Sequence, residues 1–148
     1  MRPLVLFLLA FWLLGCRSKT TPLDALRTRE VRLPGGQVIR AESAVDTRDV
    51  LRGLAFRDSL PEDHGLLYFH ARSGYYGYWM YQVNFPLDMI WMDDNHTIVE
   101  IVENAPPCKT AASKCPHFGG QHLAHYGLEI NAGSVRKYHL QVGQTIQW

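Results

Sequence analysis

The stretch that most restricts how this chain can fold is Tyr75 to Asp93, YYGYWMYQVNFPLDMIWMD, in which aromatic and sulfur side chains crowd around a single proline. Tyr76, Tyr78, Met80 and Gln82 alternate with Gly77, Trp79, Tyr81 and Val83, the two-residue period of an extended strand. Leu87 to Met92 then resumes an apolar run whose only charge is Asp88. Pro86 cannot donate to a central ladder and pushes Phe85 toward extended geometry, so Asn84-Phe85-Pro86 is a bend, a bulge or the start of a new strand. A carboxylate flanked by Leu87, Met89, Ile90 and Trp91 either points out to water or sits in a prepared polar niche.

The flanking segments carry the same β signature. Val31 and Leu33 lead into Pro34-Gly35-Gly36, and Gln37 to Val45 resumes with Val38, Ile39, Ala41 and Val45, which predicts a hairpin. Asp46 or Thr47 can cap a short helix through Val50, Leu51 and Leu54, because either side chain can accept from the open amides of a first turn. Gly65 to Phe69 reads as a short strand. Asp93-Asp94-Asn95-His96 supplies turn residues that tolerate positive φ, and Ile98, Ile101 and Val102 carry a strand onward. Thr145 to Trp148 is expected to be a last short strand. With 148 residues and 47% hydrophobic content, the chain suits one β-rich domain, a barrel or sandwich with one or two short helices.

The N-terminus predicts an address. Arg2 precedes an apolar segment, Leu4 to Leu14, too short to span a bilayer as a helix, for which about 20 residues are needed. It ends in Leu13-Leu14-Gly15-Cys16, which resembles the bacterial lipobox, in which the cysteine is diacylated and becomes the mature N-terminus. The expected organisation is a signal peptide over 1–15, a lipidated N-terminus and tether over 16–27, and the β-rich domain over 28–148. Acyl chains at Cys16, each methylene adding about 0.8 kcal/mol of membrane affinity, would make the membrane a permanent partner. Arg17 in place of the aspartate that retains some lipoproteins at the inner membrane points, by resemblance, to the outer membrane facing the periplasm. Without Arg2, fourteen basic residues face fourteen acidic ones, with no basic patch. Nucleic acid is not an expected partner, and the domain is expected to be a monomer.

Several blocks along the chain resemble the domain of unknown function 192 family. Arg52-Gly53-Leu54-Ala55-Phe56-Arg57 with Ser59 to Leu67 is similar to its opening signature, and Tyr78-Trp79-Met80 with Pro86 to Ile90 to its central motif. Pro106-Pro107-Cys108 with Cys115-Pro116 is similar to its cysteine segment, and Tyr126 to Gly133 to its late strand. The resemblance runs over roughly Val31 to Trp148 and implies a compact domain rich in strands; it implies no reaction. Two positions depart from the family pattern. Tyr81-Gln82-Val83 stands where Lys-Asn-Thr is common, and Ala55 where methionine is common.

The chemistry-bearing residues leave several readings open. In an oxidising compartment Cys108 and Cys115, with six residues between them, read first as a disulfide. The alternative is a metal held by Cys108, Cys115, His117 and His122, at a spacing poor for zinc. No cofactor is expected. His64, His117, His122 and His125 read as solvated or capping side chains, and no serine lies in a Gly-x-Ser-x-Gly setting. Arg57, Asp88 and Glu129 are charges planted in apolar motifs, so an Arg57–Asp88 or Arg57–Glu129 pair is a structural expectation. The functional expectation places Arg57, Trp79, Met80, Gln82, Asp88 and Glu129 in a ligand pocket walled by Tyr78 and Trp91. Ring faces and hydrogen-bonding groups together suit a small polar or carbohydrate-like ligand. If the site were catalytic, Asp88 and Glu129 would be the acid and base of a glycosidase-like hydrolase. Binding or envelope maintenance is expected ahead of catalysis, and a purely structural or protein-docking role is the third reading.

Overall fold

The computed structural model describes residues 27–148; the leader, Cys16 and nearly all of the expected tether lie outside the described residues. The hairpin forms as expected, β1 (Thr28–Arg32) antiparallel to β2 (Val38–Ala44), with Gly36 at φ 87° in its turn. The helix α1 (Thr47–Arg52) follows, its N-cap Asp46 accepting from the Asp49 amide at 2.9 Å. β3 (His64–Gly74) runs parallel to β2, and β8 (Ala124–Asn131) lies antiparallel between β3 and β5 (Leu87–Met92). β6 (Ile98–Ala105) pairs with β5 and completes a six-stranded mixed sheet in the order β1-β2-β3-β8-β5-β6.

The domain is therefore mainly β with two short helices, and its sheet is open rather than a closed barrel. The final segment explains how far closure goes. Gln147 bridges to Arg32 at the end of edge strand β1, while Thr145 bridges to Thr97 just before edge strand β6. One short segment thus straps both sheet edges at one end without β1 and β6 pairing with each other. The expected last strand is these two isolated bridges.

Both sheet faces are covered, which is why all six residues of β5 are buried. One face packs Ile39, Leu67, Ile90, Met92, Leu128 and Ile130 against Val135, Leu140 and Ile146. Val135 belongs to α2 (Ser134–Lys137), a single turn with no counterpart in the expectations. The opposite face packs Leu66, Tyr68, Met89 and Trp91 under Leu54, Leu60, Tyr78, Met80 and Val83.

That second cover is the aromatic run, and it is not the strand its alternation predicts. Only β4 (Tyr78–Trp79) pairs, with β7 (His117–Phe118), in a two-stranded ribbon. Gln82 takes φ 59°, and its carbonyl accepts from the Phe56 amide at 2.9 Å, which turns the chain out of extended geometry. The Met80 carbonyl is taken by the amides of Val83 and Cys108. Alternating rings here serve a cover laid over a sheet, whose inner side chains must meet that sheet just as a strand's would.

Cys108 and Cys115 are joined in a disulfide, their Cα atoms 5.7 Å apart. It closes a loop containing a 3₁₀ turn, Ala112–Lys114, and leaves neither thiol for the metal arrangement with His117 and His122. Among the described residues no group of three or more His, Cys, Asp or Glu side chains could hold a metal ion.

Candidate functional site

The two buried carboxylates have opposite surroundings, set by the period of the strands that carry them. Across the β5–β8 ladder Asp88 pairs with Ile130 and Met89 with Glu129, so Asp88 and Glu129 project from opposite faces of the sheet. This removes the two-carboxylate cleft: no ligand can reach both groups at once. Asp88, 0% exposed, accepts from the Asn104 amide at 2.8 Å and from the Val135 amide at 2.8 Å. Its niche is made of backbone donors, at the end of β6, where Asn104 has φ 54°, and in the first turn of α2. Asp88 is a clamp holding those two segments.

Glu129, 3% exposed, lies on the face covered by the aromatic run. Tyr68 Oη donates to its Oε2 at 2.9 Å, and this is the hydrogen bond its carboxyl makes among the described residues. Burial pushes its pKa up to about 7, against a smaller lowering by the Tyr68 hydrogen bond. Two residues along β3, His70 Nε2 lies 2.8 Å from Tyr78 Oη. Burial lowers the His70 pKa to about 4, so at neutral pH its imidazole is uncharged. Desolvation, with the Glu129 charge next, raises the Tyr68 and Tyr78 phenols well above their usual range.

A stack of rings fixes these groups. Tyr78 sits 4.7 Å from Tyr68 and 4.9 Å from Trp91, centroid to centroid, and His70 stacks on Tyr76 at 3.6 Å. Trp91 Nε1 donates to the Tyr76 carbonyl at 2.7 Å. Gly127 is what admits Tyr78 onto the sheet: a Cβ there would stand 1.9 Å from Tyr78 Oη. Gly53 plays the same part at the end of α1, where φ is 52° and a Cβ would meet Tyr68 Oη at 2.7 Å.

Above this floor is a cavity of about 380 Å³, within the range of small-ligand sites. Tyr68, His70, Tyr78 and Glu129 line it from below, with Trp79, Tyr81 and His117 around the rim and Val50 to Leu54 as the far wall. Trp79 is 37% exposed and stands 5.5 Å from Tyr81 and 5.7 Å from His117, so three rings edge the mouth.

Of the residues expected in a ligand pocket, the structure brings together Tyr78, Trp79 and Glu129. Met80 is fully buried core, Gln82 is exposed and outside the cavity lining, and Trp91 is buried beneath Tyr78 rather than forming a wall. Arg57 joins neither Asp88 nor Glu129. Its guanidinium makes a bidentate pair with Glu42, at 2.6 and 2.7 Å, in a separate polar cavity of about 520 Å³. That pair holds the Glu42 pKa below and the Arg57 pKa above their ordinary values. The residues missed were Tyr68 and His70. Their signal is present in β3, where two polar-tipped rings at i and i+2 must share one face.

A family model described as "DUF192: Uncharacterized ACR" matches residues 30–148. The chain belongs to the DUF192 family. Two solved structures are similar to it. One is a protein of unknown function from Novosphingobium aromaticivorans, 24% identical, with a TM-score of 0.73 over 86% of this chain and 90% of that one. The other, from Sinorhizobium meliloti, is described as a "putative transcription regulator"; it is 28% identical, with a TM-score of 0.68 over 80% of this chain and 89% of that one. No curated protein matches the chain. Three of the four blocks by which the sequence resembles DUF192 proteins, all but the cysteine segment, converge in space. Arg52-Gly53-Leu54, Tyr78-Trp79 and Glu129 all line the aromatic cavity, and Gly127 makes room for its floor.

Proposed function

We propose that this DUF192 protein is an envelope lipoprotein, anchored through acylated Cys16 at the outer membrane, whose aromatic cavity binds a small polar ligand of carbohydrate type. One observation carries the binding reading: a buried carboxyl, two phenols and an imidazole converge on the floor of a cavity rimmed by aromatic rings. Rings cover the C–H faces of a sugar, while Glu129, Tyr78 and His70 take its hydroxyls. The lining sets one carboxyl, Glu129, against one guanidinium, Arg52, whose formal charges offset, which suits a neutral ligand. The anchor rests on the sequence Leu13-Leu14-Gly15-Cys16 behind its apolar segment.

Thermal-shift titration with envelope sugars and peptidoglycan fragments tests the binding reading. A ligand at a hundredfold excess over its Kd adds about 2.7 kcal/mol of stability, a visible shift, and Trp79→Ala should remove it. If no saccharide shifts the wild type, or Trp79→Ala leaves the shift unchanged, this reading fails. Metabolic labelling with a fatty acid tests the anchor. Label should enter the wild type and not Cys16→Ser.

A further inference from the structure

The contrast between the two buried carboxylates points beyond binding. Asp88 is satisfied as a structural carboxylate must be, with a backbone amide on each oxygen. Glu129 is as deeply placed, yet it receives one hydrogen bond, from a neutral phenol, and its side chain lines an open cavity. A carboxyl kept under-solvated beside open space is poorly built as a clamp. It is well built as a base, because the ionised form gains little from its surroundings and gives that reluctance up on taking a proton.

We propose that Glu129 is a general base that takes a proton from a carbon acid held in the aromatic cavity, the substrate class being small neutral 2-hydroxycarbonyl compounds such as open-chain sugars. This rests on the same cavity as the binding reading. Two neighbours complete the machinery. Tyr78 Oη can donate to the carbonyl oxygen: with the neutral His70 carrying its proton on Nε2, the imidazole donates to the phenolic oxygen and leaves the phenolic hydrogen free for the substrate. Tyr68 holds Glu129 in place through Oε2 and so positions the base.

The step balances without an outside reactant. The proton on the hydroxyl-bearing carbon passes to Glu129, and its electron pair becomes a carbon–carbon double bond. The carbonyl π pair moves to oxygen, which takes the Tyr78 proton, giving an enediol. On the return Glu129 delivers its proton to the former carbonyl carbon, and the second hydroxyl returns a proton to Tyr78 as the new carbonyl forms. The net change is an aldose–ketose interconversion, with no change in composition or oxidation level.

The base is testable before the natural substrate is known. A nitrobenzisoxazole is a small flat carbon acid that needs only a desolvated base: its C–H proton leaves, the pair forms a nitrile, and the nitrogen–oxygen bond breaks to a coloured phenolate. With the full chain, turnover should exceed buffer and Glu129→Gln should lower it about a hundredfold. The rate should rise with pH through a midpoint near 7, as Glu129 loses its proton. The other titratable groups around the cavity are Tyr68 and His70 of β3, Tyr76, Tyr78, Tyr81, Arg52 of α1 and His117 of β7. His70 ionises well below that window, and the Tyr68 and Tyr78 phenols well above it.

Tyr68→Phe should move the midpoint upward, because the lost hydrogen bond favours the charged carboxylate; a merely structural Tyr68 would leave it in place. This variant keeps the test valid if Glu129→Gln fails to fold. Arg136→Ala, in the helix covering the opposite sheet face, where the arginine pairs with Glu103, should leave the rate unchanged. A wild-type rate no faster than buffer, a rate flat with pH, or an undiminished rate in folded Glu129→Gln overturns the proposal. Quenching of Trp79 fluorescence by the same probe separates the failures. Quenching without turnover sinks the base and leaves the binding cavity, whereas no quenching and no saccharide binding sink both.

Discussion

Replacing Glu129 by glutamine should change how stability depends on pH by an amount the structure fixes. The glutamine oxygen can still accept from Tyr68 Oη, so the fold and its hydrogen bond persist while the titration disappears. In the wild type the Glu129 pKa stands at about 7 in the fold against an ordinary 4.5. A raised carboxyl pKa means that the folded state binds more protons than the unfolded chain, so its contribution is fully present below pH 4.5 and lost as pH rises through about 7. At about 1.4 kcal/mol per pH unit the shift is worth about 3 kcal/mol across that window. His70, lowered to about 4, acts with the opposite sign, its contribution being lost as pH falls from 6.5 toward 4. It is present in both proteins and cancels in their difference. Urea unfolding of the two proteins at a series of pH values from below 4.5 to above 7 therefore isolates Glu129. The variant should gain about 3 kcal/mol on the wild type between the two ends. Curves that stay parallel to within about 0.5 kcal/mol would refute the burial of an ionisable carboxyl at this site.

Three further perturbations separate floor, clamp and loop. Gly127→Ala puts a methyl where Tyr78 Oη lies, so calorimetry should show a loss of about 2 to 3 kcal/mol and saccharide binding should vanish with the displaced ring. Asp88→Ala leaves the Asn104 and Val135 amides without their acceptor and should cost about 3 kcal/mol by urea unfolding, while binding in the aromatic cavity persists because the clamp is on the other face. Replacing Cys108 and Cys115 by serine frees the loop they close and should lower stability by about 2.5 kcal/mol on the chain-entropy account, measured by denaturation under non-reducing conditions.

What could be read from the residues divides by the range of the interactions involved. The β1–β2 hairpin, the Asp46 cap and the buried β5 run were legible because turn glycines, a capping carboxylate and an unbroken apolar stretch act within a few residues. The disulfide was legible from loop length and thiol count. Pairing across the sheet was not. Whether Asp88 and Glu129 share a face depends on the register between β5 and β8, strands separated by more than thirty residues, and a shift of one position would have reversed the answer. A separation of 15 residues likewise hid the Arg57–Glu42 pair, whose partners come from β2 and the turn after α1. Alternation of the aromatic run predicts a strand, of which only Tyr78–Trp79 forms, because a cover on a sheet and a strand within one share that period. α2 is a single turn held by Asp88, with too little periodicity of its own to be seen.

The central claim is that the Glu129 cavity is where this DUF192 protein meets its ligand. Carbon-detected NMR of the Glu129 carboxyl during a saccharide titration, with the Trp79 indole followed in the same samples, tests it most directly. The account predicts a free carboxyl titrating near pH 7, a midpoint that moves on saturation, and an indole shift that follows the same binding curve. A carboxyl midpoint and an indole signal both indifferent to every saccharide would contradict it.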